Sequence, residues 1–196
     1  MKKLFIITLL AVAFLNSFSQ NYITRTAHIN VMSLNNVQNI VADNYQVASQ
    51  LNTSTGQFKI IALIKSFEYR IGAMNRMMSA RDIDVTDYPK ITFDGRISDM
   101  SKVNFNKPGT YNVKFSGTFY VWDEQTSTDI NGSLTIGSDG TITGKSEFAI
   151  PIESLDPKKI EQILKEKLPS SLNVKPNAIS ISKNIQVKFN SILKKQ

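Results

Sequence analysis

The sequence predicts an all-β (mainly β) domain, an antiparallel eight-stranded barrel with two short helices inserted between strands. Three observations predict it. Tyr111, Val113, Phe115, Gly117, Phe119 and Val121 alternate with Asn112, Lys114, Ser116 and Thr118, the two-residue period of a strand with one buried face. Compact turn signals, Asn52 to Gly56 (NTSTG), Lys107-Pro108-Gly109 and Ser138-Asp139-Gly140, break the chain into hairpin-sized pieces. Helical spacing occurs in only two places beyond the N-terminus. A β-sandwich would use the same strands, and an eight-stranded barrel is wide enough either to be filled by side chains or to hold one small ligand.

The first nineteen residues stand apart from that domain. Lys2 and Lys3 precede an apolar run from Leu4 to Leu15, and Ser17-Phe18-Ser19 places small residues at positions −3 and −1 of a cleavage site, the pattern of a secretory signal. The run is shorter than the roughly 20 apolar residues that span a bilayer. Residues 1–19 are therefore expected to be removed, leaving 20–196 as one domain with a single core, periplasmic or secreted. The chain has no cysteine, so neither a disulfide nor a lipidated cysteine enters the account, and the core must hold the fold.

The elements follow in order. Tyr22 to Leu34 reads as a strand carrying the single histidine, His28; Asn35-Asn36 turns the chain, and Val37 to Leu51 is extended again. Phe58, Ile60, Ala62 and Ile64 alternate with Gln57, Lys59 and Lys65 in a strand drawn to Phe67. Ile71, Met74 and Met78 then fall at i, i+3 and i+7 with Ala73 and Met77 beside them, the apolar face of a short methionine-rich helix. Tyr88-Pro89 ends it, because the residue before proline is pushed to extended conformations. Ile91, Phe93 and Ile97 share one side of the next strand, and Ser98 to Gly109 is a loop. After the Tyr111 strand, Asp123 to Ser127 is expected to turn the chain into a strand with Ile130, Leu134 and Ile136. The Asp139-Gly140 hairpin leads to Ile142, Gly144, Phe148 and Ile150. Asp156 as N-cap and Pro157 at the first helical position begin a helix to Leu168, striped by Ile160, Ile163, Leu164 and Leu168. A last strand carries Ile179, Ile181, Ile185, Val187 and Phe189.

Charge and residue types exclude several function classes. Without Lys2 and Lys3 there are 21 basic against 16 acidic residues, and Pro157 to Gln196 alone carries nine lysines and two glutamates. A solvated lysine-rich surface accounts for that bias; export argues against nucleic acid, and any contact of Pro157 to Leu168 with an anionic membrane is expected to be weak and salt-sensitive. With no cysteine and one histidine, thiol catalysis and histidine-rich metal sites are out of reach. Asp82, Asp84 and Asp87 lack the glycine turn and distal glutamate of a calcium loop. No enzyme, metal or cofactor is expected, and His28 reads as a packed or edge histidine. The inward faces bearing Phe58, Ile60, Ile64, Phe93, Tyr111, Phe115 and Phe119 can line a cavity, with the Met74, Met77 and Met78 face near its mouth. The same side chains can equally close-pack into a dry core.

The strand from Phe58 to Phe67, the methionine-containing helix, the run Asp87-Tyr88-Pro89-Lys90-Ile91-Thr92-Phe93, the Gly117 strand and the Asp-Gly hairpin, in that order, resemble the YceI-like family. The match runs through essentially the whole chain after residue 19 and includes Ala27-His28-Ile29 on the first strand. Trp122-Asp123-Glu124-Gln125 stands where that family commonly carries a Gly-Val-Thr turn, and the Pro157 helix is longer than the family pattern. The resemblance implies an exported lipocalin-like barrel that binds a polyisoprenoid or similar apolar chain. A filled barrel acting through its surface, at a membrane or on a protein partner, is the alternative. The intact mass of protein recovered from the exported fraction is expected to correspond to a chain beginning close to Gln20; retention of Met1 to Ser19 would contradict that reading.

Overall fold

The computed structural model describes residues 20–33, 39–72, 75, 89–121, 124–151 and 184–196. Its strands are β1 (Asn21–Ser33), β2 (Ile40–Asn52), β3 (Gln57–Leu63), β4 (Glu68–Tyr69), β5 (Lys90–Ile97), β6 (Gly109–Val121), β7 (Glu124–Ile136), β8 (Ile142–Pro151) and β9 (Asn184–Lys195). All neighbours are antiparallel, in the order β1-β9-β8-β7-β6-β5-β3-β2, and β1 pairs with β2 as well as β9, so the sheet closes as an eight-stranded barrel. The two-residue β4 is an extension of the wall: it pairs with β2 at Ala42 and Asp43, beyond the point where β3 stops. Antiparallel closure is the solution that leaves no long unpaired edge for a chain of hairpins.

Each strand buries the alternate residues its sequence marks as apolar. Val113, Phe115, Phe119 and Val121 of β6, Ile130, Leu134 and Ile136 of β7, and Val187, Phe189 and Leu193 of β9 all lie in the core. Two boundaries differ from the sequence reading by several residues. β3 ends at Leu63, and Ile64–Ser66 forms a single 3-10 turn. β7 begins at Glu124, because Val121 pairs with Glu124 and leaves two residues for the hairpin, so Gln125, Thr126 and Ser127 lie in a strand where a turn was expected. Their polarity resembles a loop, but β-branched threonines suit a half-buried pleated surface once a full-length partner strand is present.

The two ends of the barrel are built differently. At one end the turns are short and internally bonded. Asn52 Oδ1 accepts from the Ser54 and Thr55 amides, Asp139 Oδ1 accepts from the Thr141 amide and hydroxyl, and Gly56 and Gly140 take the positive φ values of 71° and 79° that these turns require. The β5–β6 connection folds Met100, Val103 and Phe105 back against the core and closes this end. Among the strand connections at the opposite end, residues 34–38, 76–88, 122–123 and 152–183 lie outside the described residues. So do the 1–19 segment, the expected helix over 157–168, Ile179, Ile181, and Asp82, Asp84 and Asp87. Of the first expected helix, one i→i+4 bond is seen, from the Asn75 amide to the Ile71 carbonyl at 2.9 Å.

Inside the wall, Gly95 of β5 faces Gly117 of β6 across the ladder. A Cβ on Gly117 would stand 2.5 Å from Gly95 Cα and 2.8 Å from the Phe93 ring, so the glycine pair is the bed on which that ring lies. Gly117→Ala is expected to lower stability by about 1–3 kcal/mol through overpacking, read as a lower urea midpoint with an unchanged slope.

Candidate ligand site

The lumen is filled by aromatic rings, most of which meet between strands that are not neighbours. Phe58 of β3 meets Phe115 of β6 at 4.7 Å between centroids and Phe189 of β9 at 5.9 Å. Nearer the opposite rim, Phe119 of β6 packs on Phe93 at 4.9 Å and on Phe148 of β8 at 5.7 Å. Tilted and edge-on pairs of this kind contribute beyond their buried area. They nearly fill the middle of the barrel, leaving a void of about 10 Å³ among Phe58, Ile60, Phe115, Ile130, Phe148 and Phe189. Leu51, Leu134, Ile142 and Leu193 close-pack at the turn-capped end. Toward the other rim the inner wall stays apolar but is only half-buried, through Val31, Phe67, Ile91, Phe148, Ile150 and Ile185.

Two polar groups interrupt the apolar wall near that rim. Asn44 is fully buried, and both ends of its amide bond the backbone: Nδ2 donates to the Leu63 carbonyl at 3.1 Å, and Oδ1 accepts from the Gln46 amide at 2.9 Å. It thus holds both the broken end of β3 and the irregularity in β2, where pairing steps from Ala27↔Val47 to Ile29↔Asn44 and β2 carries one extra residue. Tyr69 pairs with the inward Ala42 and shares its face of the sheet, and burial pushes its hydroxyl pKa up.

The outer wall carries the single histidine. His28 Nε2 donates to Asp43 Oδ1 at 2.9 Å, Asn30 Nδ2 donates to the same oxygen at 2.8 Å, and Arg70 Nη2 lies 3.5 Å from Asp43 Oδ2. The imidazole stacks on the Tyr45 ring, 4.4 Å away and within 4° of parallel. Partial burial raises the Asp43 pKa, but the hydrogen bonds from Asn30 and His28, with the charges of His28 and Arg70, outweigh it and hold the carboxyl below its ordinary value. The cluster ties β1, β2 and the residue after β4 together. His28 is a packed histidine on the outside of the wall, in keeping with the sequence reading.

Of the residues expected to line a cavity, Phe58, Ile60, Phe93, Phe115 and Phe119 come together in the lumen. Tyr111 lies toward the turn-capped end, where its hydroxyl donates to the Lys107 carbonyl at 2.9 Å. Ile64 is not in a strand but in the 3-10 turn at the opposite rim. Met74, Met77 and Met78 lie outside the described residues. Sequence reasoning passed over Phe148, Phe189, Tyr69 and Asn44 as site residues. The two phenylalanines do sit at inward positions of period-2 patterns, which was the available signal; Tyr69 and Asn44 depend on a strand break that no local pattern announces.

No protein-family model matches the chain, and no curated protein matches it in sequence. Solved structures do match its fold. A polyisoprenoid binding domain from Saccharophagus degradans, implicated in plant cell wall breakdown, superimposes with a TM-score of 0.68 at 16% identity, over 91% of this chain and 99% of that one. BcnA of Burkholderia cenocepacia gives 0.56 at 14% identity over 86% and 96%, and the YCEI protein of Campylobacter jejuni 0.51 at 14% over 83% and 88%. The YceI-like barrel anticipated from the sequence is the fold of this chain.

Asp43→Asn is expected to lower stability at pH 7 by about 1–2 kcal/mol, since it weakens charge-assisted hydrogen bonds. The folded carboxyl has the lower pKa, so its contribution is complete above the unfolded value of about 4 and is lost as pH falls through the folded one. Urea midpoints of the wild type and the variant should therefore converge as pH falls below about 4.

Proposed function

On the fold shared with the YceI proteins, we propose that this chain is an exported, non-enzymatic binder or carrier of an apolar chain, of polyisoprenoid or similar lipid character. The observation that carries this reading is the inner wall on the rim side of the Phe93–Phe119–Phe148 layer, which continues apolar while its side chains are only half-buried. Such a wall needs a covering of its own polarity. Burying ten methylene groups there would contribute roughly 8 kcal/mol before ordering costs, enough to hold a lipid chain with no ionic anchor. A binding rather than catalytic role is further supported by the placement of His28 on the outer wall, engaged with Asp43. Secretion through the 1–19 segment and a weak, salt-sensitive contact of Pro157 to Leu168 with an anionic membrane belong to the same proposal; flotation with liposomes at low and high salt tests the latter.

One observation favours a second reading, a filled barrel that acts through its surface. The void at the lumen centre holds about 10 Å³, and the Phe58–Phe115 contact is tight. Because Phe115 belongs to that packed layer, Phe115→Ala is expected to cost about 3–5 kcal/mol under either reading, and the discriminating position lies at the rim. Ile150→Asn should leave the urea midpoint nearly unchanged and abolish retention of the apolar ligand. Mass spectrometry of an organic extract of detergent-free protein should show an isoprenoid or acyl-chain species in near-stoichiometric amount for wild type and not for the variant. An empty extract, together with no uptake of a fluorescent farnesyl probe by wild type, would establish the filled barrel.

A further inference from the structure

The ladder between β7 and β8 is short. It runs from Ile136↔Ile142 to Gly132↔Ser146, five pairs, and stops. By contrast β6 pairs with β7 over thirteen positions, and β9 pairs with β8 from Ile142 to Pro151. Residues 127–131 and 147–150 are thus each held from one side, and among the described residues no ladder joins them across the seam. The strands part at a specific arrangement. A Cβ on Gly132 would stand 2.7 Å from the Lys145 carbonyl oxygen, so the last rung depends on a glycine. Just beyond it the Ser146 hydroxyl donates to the Asn131 carbonyl at 2.6 Å. A side chain there satisfies one carbonyl that the next rung would have used.

The fork opens directly onto the lumen. The small void is bounded at the seam by Ile130, Ser146 and Phe148, with Phe58 and Phe115 on the far side. Past the last rung, the Phe148 ring stacks on Phe119 of β6, two strands away. At this height an aromatic side chain spans the wall where elsewhere a backbone ladder does. Side-chain rotation is fast and breaks no hydrogen bond, whereas passage between any fully laddered pair of strands must rupture several.

We propose that this fork is a lateral portal: the apolar chain enters and leaves the lumen through the wall between β7 and β8, displacing Phe148 as it passes. The assignment rests on the apolar-ligand reading above. It predicts a route that is controlled at the seam and not at the rim, with Phe148 setting the rate of exchange more than the affinity.

The chain has no cysteine, so Asn131→Cys with Glu147→Cys introduces one disulfide at the position of the next missing rung. With closure of the bond confirmed by intact mass, uptake and release of a dansyl-labelled farnesyl chain should each slow at least tenfold. The equilibrium affinity should change less than twofold, and reductant should restore both rates. Equal rates in oxidised and reduced protein would overturn the portal in favour of entry at the rim. Should the bond not close, Phe148→Ala must speed exchange severalfold and Phe148→Trp must slow it; rates unchanged in both variants overturn the proposal as well. Hydrogen exchange of the ligand-free wild type gives a readout that needs no ligand. Seam-facing amides of 127–131 and 147–149 should exchange much faster than those of 133–135, and equal protection would mean a closed seam and no portal. If the probe binds neither oxidised nor reduced protein while the seam amides exchange freely, the apolar-ligand reading itself falls and the portal with it.

Discussion

The double pairing of β1, to β2 on one edge and β9 on the other, is the constraint from which the remaining features follow. Once the sheet closes, every second side chain points into a lumen of fixed width, and the strands cannot slip by one residue without exchanging core for solvent. The lumen must then be filled or occupied. Phe58, Phe115 and Phe189 are long enough to meet across it in tilted and edge-on pairs, and Phe93 and Phe119, opposite each other on β5 and β6, fill the layer beside them. The facing glycines at 95 and 117 belong to the same geometry, because a ring reaching across the sheet needs a wall without a Cβ beneath it.

Closure also separates the two ends into different roles. The turn-capped end is built from short, self-bonded turns and from a β5–β6 connection that returns Met100, Val103 and Phe105 to the core. It resembles the base of a cup. Toward the other end the ladders become irregular: β3 breaks off and is replaced along β2 by β4, β2 carries an extra residue, and β7 parts from β8. Each irregularity is stabilised by a side chain doing a backbone's task, Asn44 at the first two and Ser146 at the third. Strand irregularities of this kind cluster at rims and sites, where pairing must stop without leaving polar groups unsatisfied.

The outer wall shows a complementary economy. Asp43 takes hydrogen bonds from residues of β1 and an ion pair from Arg70, so one carboxylate joins the closing strand, its neighbour and the chain leaving β4. Its limited exposure, 15% of the side chain, makes those bonds stronger than the exposed pairs such as Lys59 with Asp94. The histidine is consumed by this clasp, and its ring is further held by Tyr45.

Much of the barrel was legible in the residues alone. Period-2 alternation located the strands and the inward parity of Phe58, Ile60, Phe93, Phe115 and Phe119, because burial on one face of a pleated strand imposes that pattern whatever the strand pairs with. Asp139-Gly140 announced its hairpin because a positive φ has a residue signature. What only the tertiary structure decided is pairing: that β1 closes the sheet, that Gln125, Thr126 and Ser127 belong to a strand, that Ile64 turns out of one, and that Asp43 gathers His28, Asn30 and Arg70. The seam between β7 and β8 is the plainest case. Residues 127–131 and 147–150 look like ordinary strand residues, and nothing local distinguishes a strand with two partners from a strand with one. Hydrogen-bond partnership across a sheet is a property of two distant segments brought together, so no single stretch of sequence contains it.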